Sequence, residues 1–141
     1  MTYESYVKAK LVDLVIDEAY HYGGYEPMLA VAQVIANRVK AGWQGGDWLK
    51  NINAAPLFRG TVSDNHPAPD PRDGNFRELL RRIDDVYFHA ADDTNVNVEE
   101  YKALYYAELH NINRDWFKEN ITQDIEHHPR IATAAQLTFF A

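Results

Sequence analysis

The stretch "PMLAVAQVIANRV", residues 27 to 39, constrains this chain more than any other. Met28, Leu29, Val31, Ala32, Val34, Ile35 and Val39 put apolar side chains on nearly every side of a helix. A helix with no polar face has nothing to offer water. It must run through the centre of a small domain, with other elements wrapped around it. Pro27 suits the first turn, where a missing N–H costs nothing. Gln33 and Asn37 are the polar exceptions. Four residues apart, they share one face and read as core groups that satisfy backbone or an internal water. Asn37-Arg38 reads as fixing the end of the helix.

The covering elements follow from periodicity. Residues 2 to 21 read as a helix capped by Thr2, with Val7, Leu11, Leu14, Val15 and Ala19 at helical spacing. Glu18 lies one turn after Leu14 and two after Leu11, so it projects from the apolar side or its border. Asp13 and Asp17 fall elsewhere around the helix. A carboxyl group beside an apolar face is favoured in its neutral, proton-carrying form. Gly23-Gly24 stops this helix before the central one starts. "AGWQGGDWLKNINAAPLF" reads as a glycine-rich connection that carries aromatics, and "SDNHPAPDPRDG" as a proline- and aspartate-rich loop. Asn75 and Glu78 make a capping pair for a helix from Phe76 to about Ala90, with a stripe of Phe76, Leu79, Leu80, Ile83, Val86 and Tyr87. "DDTN" is a loop. "KALYYAEL" and "AAQLTFFA" are short enough for strand or helix. The expected fold class is α+β, mainly helical, with a small β-sheet or hairpin. At 141 residues the chain fits a single domain spanning 1–141.

Charge and composition remove several function classes. The net charge is −7, with no basic stripe to displace counterions from a nucleic acid. Arg77, Arg81 and Arg82 sit among Glu78, Asp84 and Asp85 and read as a solvated helix face. The absence of cysteine excludes disulfides, thiolate catalysis and cysteine-bound zinc. His127-His128 would not share a helix face, no His-Glu-x-x-His spacing occurs, and no metal or other cofactor is expected. There is no glycine-rich phosphate loop and no Gly-x-Ser-x-Gly elbow. "MTYESYVKAK" has neither the apolar core nor the cleavage site of a secretory signal, and Met28 to Ala36 is too short to span a bilayer. The expectation is a soluble protein without a membrane span that is not exported by the ordinary route.

Glu18-Ala19, Gly23, Tyr25-Glu26 and "AVAQVIANRVK" from Ala30 to Lys40 together resemble the SleB-type cell wall hydrolases, which include the spore cortex-lytic enzymes. Leu57-Phe58 looks like that family's phenylalanine loop, and "DDTNVNVEEYKALYYAELHNINRDWF" is similar to its alanine-tyrosine and tryptophan region. "IATAAQLTFFA" looks like its terminal strand, which ends in paired aromatics. The likeness extends over nearly the whole chain but is specific only in residues 18 to 40. Three departures stand out. Pro27 replaces the usual glycine, one extra residue follows Glu18, and Leu137 takes the place of the terminal histidine. The resemblance implies a lysozyme-like domain that cleaves the glycan strand of peptidoglycan, with Glu18 as the matching catalytic glutamate.

Glycosidic cleavage needs a carboxylic acid to protonate the leaving oxygen. Retaining and inverting hydrolases add a second carboxylate, at roughly 5–5.5 Å or 6.5–9.5 Å respectively. A lytic transglycosylase does not need one, because the sugar's own C6 hydroxyl attacks, and the resemblance points to that route. Glu26, Asp47, Asp92, Asp93 and Glu108 are the other carboxylates in view. Glu26 matches the family's second acidic position, though a charge favoured by the helix dipole explains it as well. A glycan groove also needs flat rings with polar tips. Tyr20, Tyr22, Tyr25, Trp43, Trp48, Tyr105, Tyr106 and Trp116 are available. Tyr25, Glu26, Tyr105, Tyr106 and Trp116 are the expected substrate contacts, Tyr105 and Tyr106 because they match the family's aromatic segment. The expected partner is the peptidoglycan glycan strand. Two other readings compete: a catalytically silent glycan-binding, virion or scaffold protein of the same fold, and a cytoplasmic helical regulator.

Overall fold

The computed structural model describes residues 2–22, 24–58, 70, 72–88, 98, 102–108, 115–134 and 136–141. "DDTN" and most of the "SDNHPAPDPRDG" loop lie outside the described residues. Helix α1 (Tyr3–Ala19) starts at Thr2, whose side chain accepts from Ser5 N at 3.1 Å. It passes into a 3₁₀ turn at Tyr20–Tyr22. Val7, Leu11, Val15 and Ala19 are buried as the spacing predicts. The buried face also takes in Val12, while Leu14 is only half-buried.

Helix α2 (Glu26–Lys40) is the central rod that its composition requires. Every residue from Pro27 to Arg38 is buried. It touches α1, the later helices and the sheet alike. Gly24, at φ +78°, makes the turn that brings the chain into it.

The glycine-rich stretch after α2 is more than a connection. It contains α3 (Trp48–Ala54), capped by Asp47, whose carboxylate accepts from Lys50 N at 2.8 Å. Asn51 Nδ2 donates to Trp43 O and Asp47 O and locks the helix to the turn before it. Ile52 is buried, and Trp48 and Leu49 pack on the core.

Helix α4 (Gly74–Phe88) begins two residues before the expected Phe76. Asn75 is therefore inside the helix and not its cap, and Arg77 N donates to Asp73 O at 3.0 Å. Leu79, Ile83 and Val86 are buried, with Phe76 and Tyr87 packed beside them. Leu80 is 44% exposed and leaves the expected stripe, because it lies about 100° around the helix from Leu79.

The two ambiguous segments are strands. β1 (Tyr105–Glu108), β2 (Arg130–Ala134) and β3 (Leu137–Phe140) form a three-stranded antiparallel sheet in the order β1-β3-β2. "IATAAQLTFFA" is thus a hairpin and not one strand, with Ala134 opposite Leu137 and a bulge between Arg130 and Ala132. All four residues of β3 are buried. Leu137 and Phe139 face the helices together with Tyr106, while Phe140 faces the other way and packs with Ala107, Phe117 and Ile121. Phe117 comes from a short helix, α5 (Asp115–Phe117), and Ile121 from the π-helical turn that follows at Lys118–Thr122. A strand covered on both faces must be apolar throughout, which "LTFF" nearly is. The fold is mainly helical with this small antiparallel sheet. No helix among the described residues is long and apolar enough to cross a membrane.

Candidate active site

Among the described residues two charged side chains, Glu18 and Arg38, are buried. Glu18, in the last turn of α1, is 1% exposed, and so is Arg38, in the last turn of α2. The Arg38 guanidinium lies 4.9 Å from the Trp43 ring centre, 5.8 Å from Tyr106 and 5.9 Å from Tyr105. Such ring faces attract a cation, and more strongly where water is excluded. Its Nε donates to Leu104 O at 2.8 Å. Burial pushes the Arg38 pKa down, while Tyr106, Tyr105 and Glu18 each oppose that shift, Glu18 the least. A guanidinium loses its proton in no ordinary protein setting, so the group stays a buried cation.

Tyr105 extends this cluster toward the surface. Its ring meets Trp43 edge-on at 5.4 Å and His128 at 5.0 Å. His128 Nδ1 is in turn 2.8 Å from Ala141 O. Burial raises the Tyr105 pKa, and the charge of Arg38 partly offsets this.

The side chains of Asn37 and Arg38 do not fix the end of α2, contrary to the expectation from sequence. Backbone bonds close it, from Ala41 N to Asn37 O and from Gly42 N to Val39 O. The two side chains instead fasten the chain that leads into β1. Gln33 Nε2 donates to Asn37 Oδ1, and Asn37 Nδ2 donates to Val98 O and Ala103 O, each at 3.0 Å. The core role expected for Gln33 and Asn37 is what the structure shows.

The expected substrate contacts scatter. Tyr25 and Glu26 stand at the start of α2, the opposite end from Arg38. Tyr105 is half-buried in the aromatic cluster. Tyr106 is 0% exposed and tilted against Phe139, with no ring face left for a sugar. The pleat explains the difference, since neighbouring strand residues point to opposite faces and Tyr106 points at the helices. Trp116, on α5, is 43% exposed, and its backbone O accepts from Asn120 Nδ2. Among the other carboxylates, Asp47 is engaged as a helix cap, and Asp92 and Asp93 lie outside the described residues. Among the described residues no group of three or more His, Asp or Glu is placed to hold a metal.

Sequence reasoning missed Arg38 as the centre of the cluster and Trp43 as its closest ring. A signal was present: Arg38 is the one full charge between Pro27 and Val39, in a helix otherwise buried all round. A cavity of about 350 Å³ opens elsewhere, lined by Asn37, Lys40, Ala41, Lys102 and Leu104, and Glu18 is not among these residues. Comparison with known proteins supplies no relative: no family model matches the chain, and no curated protein or solved structure matches it either.

Proposed function

We propose that this chain cleaves peptidoglycan glycan strands between N-acetylmuramic acid and N-acetylglucosamine by the lytic transglycosylase route, with Glu18 as general acid and base. The observation that carries the reading is a carboxyl group at 1% exposure on the apolar face of α1, at the corner where the resemblance expects the catalytic glutamate. In this scheme Glu18 gives its proton to the glycosidic oxygen as the bond to the anomeric carbon breaks. The C6 hydroxyl of the muramic sugar attacks that carbon, and the Glu18 carboxylate takes the hydroxyl proton. The products are a 1,6-anhydro end and a free C4 hydroxyl, and Glu18 is restored. Arg38 attracts the carboxylate that exists between the two transfers. At 1% exposure, Glu18 meets a saccharide only when the side chains around it shift.

A second reading is favoured by the same burial. Buried Glu18, with Arg38 caged among rings that include the fully buried Tyr106, also describes a charge arrangement that holds the fold together. The protein would then be a catalytically silent glycan-binding or virion component of the same architecture. Digestion of purified sacculi separates the two. Transglycosylase activity predicts anhydro-ended muropeptides by mass spectrometry, reduced about 100- to 10,000-fold in Glu18→Gln. Reducing ends would point to a hydrolase, and intact glycan strands with either variant would leave the silent reading.

A further inference from the structure

The cavity at the C-terminal end of α2 is separate from the Arg38 cluster. Asn37, Lys40 and Ala41 lie at helical spacing on one face of the helix end, and Arg38 is about 100° around from Asn37. Lys102 and Leu104, from the chain entering β1, complete the described lining. Two lysines from different segments therefore line one space, on a chain whose net charge is −7. Neither lysine has an ion-pair partner among the described residues, although Lys8, on the surface of the same molecule, has two.

The wall that carries Lys102 is fixed from several sides. Asn37 Nδ2 holds Val98 O and Ala103 O, and Ala103 N donates back to Val98 O at 2.9 Å. Leu104 N donates to Phe140 O at 3.0 Å, and Arg38 Nε holds Leu104 O. Within this frame Lys102 adopts φ +54°, a left-handed conformation that costs a residue with a Cβ and persists only where its surroundings dictate it. The volume, about 350 Å³, falls in the range of small-ligand sites, and Ala41 and Leu104 add apolar side chains to its lining.

We infer that this cavity binds a small organic oxyanion of monosaccharide size, a carboxylate or phosphate ester, with Lys40 and Lys102 clamping the anionic oxygens and Ala41 and Leu104 against its carbon body. The inference is independent of the proposed cleavage, because it needs binding alone and none of the residues assigned to catalysis.

Isothermal titration of the full chain tests it with inorganic phosphate, glucose 6-phosphate and N-acetylmuramic acid, and with neutral N-acetylglucosamine as control. The two organic anions should bind, weaken in high salt, and outcompete the neutral sugar. Lys40→Gln and Lys102→Asn should each weaken binding about five- to tenfold. Asn tolerates the left-handed backbone, so Lys102→Asn removes the ammonium without straining the turn. Its thermal melt should match that of the native chain, which separates loss of the site from loss of the fold. A preference for N-acetylmuramic acid would assign the cavity to acidic wall saccharides, and a preference for glucose 6-phosphate to a free sugar phosphate. No binding of any anion would overturn the inference. So would binding that neither substitution changes.

Discussion

Arg38 shows how much one side chain can decide. It follows an unbroken run of buried residues, and its charge must be met by something other than water. Three rings and a backbone carbonyl meet it, and Glu18 acts on it electrostatically, the weakest of the groups that favour its charge. Arg38→Ala should therefore destabilise the protein by about 3–5 kcal/mol, since it opens a void and leaves Glu18 buried without its cation. Arg38→Met fills most of the space and removes only the charge. In a denaturation cycle of Glu18→Gln and Arg38→Met, the double variant should be more stable than the sum of the singles predicts, by at least about 0.5 kcal/mol. Strict additivity would mean that the two groups do not sense each other, and the electrostatic half of the candidate site would be lost.

At the scale of elements, legibility tracked the strength of the periodic signal. Helices α1 and α2 were readable because seventeen and fifteen residues repeat one pattern, and because Thr2 and Pro27 mark their starts. Helix α3 was hidden because it has only seven residues and follows Gly42, Gly45 and Gly46, all at positive φ. Its signal was Asp47 at the cap position, with Trp48 and Ile52 one turn apart. The terminal hairpin is hard to tell from a single strand in the sequence, because no glycine or proline separates Ala134 from Leu137. For the site, position on a face was legible for Glu18, but Tyr106 required knowing which way the pleat turned.

The helices are also joined by polar clasps that titrate. Lys8 on α1 pairs with Glu4 and with Asp84 on α4, and its pKa is raised, first by Asp84 and then by Glu4. Tyr20 donates to Asp73 Oδ2 at 2.9 Å, just ahead of α4, and this contact raises the tyrosine pKa. A raised folded-state pKa means that each clasp contributes fully below the unfolded value, about pH 10, and fades as pH climbs through the folded one. The melting temperature should therefore fall above about pH 10. Lys8→Gln should melt lower at neutral pH and lose less over that alkaline range. These contacts face solvent, so the difference should be modest and shrink in high salt. An identical alkaline loss in both proteins would show that the Lys8 clasp contributes nothing.

At the scale of the whole molecule, the sheet divides the apolar interior in two. On one side Leu137, Phe139 and Tyr106 join the large cluster built on α2, and on the other Phe140 joins Phe117, Ile121 and Ala107. This placement suits an apolar side chain at Leu137. The position is 0% exposed against the helical core, where a histidine would bring a polar ring into apolar surroundings. It also predicts unequal responses from adjacent phenylalanines. Phe139→Ala removes a side chain from the main core and should cost about 3–5 kcal/mol of global stability. Phe140→Ala removes the ring that meets Phe117 edge-on at 5.5 Å. The outer layer is small, so its loss should act locally. Amide exchange should accelerate in 115–122, while α1 and α2 keep the protection of the native chain. Equal acceleration throughout would show that the two clusters unfold as one unit, and that the sheet transmits stability between layers instead of separating them.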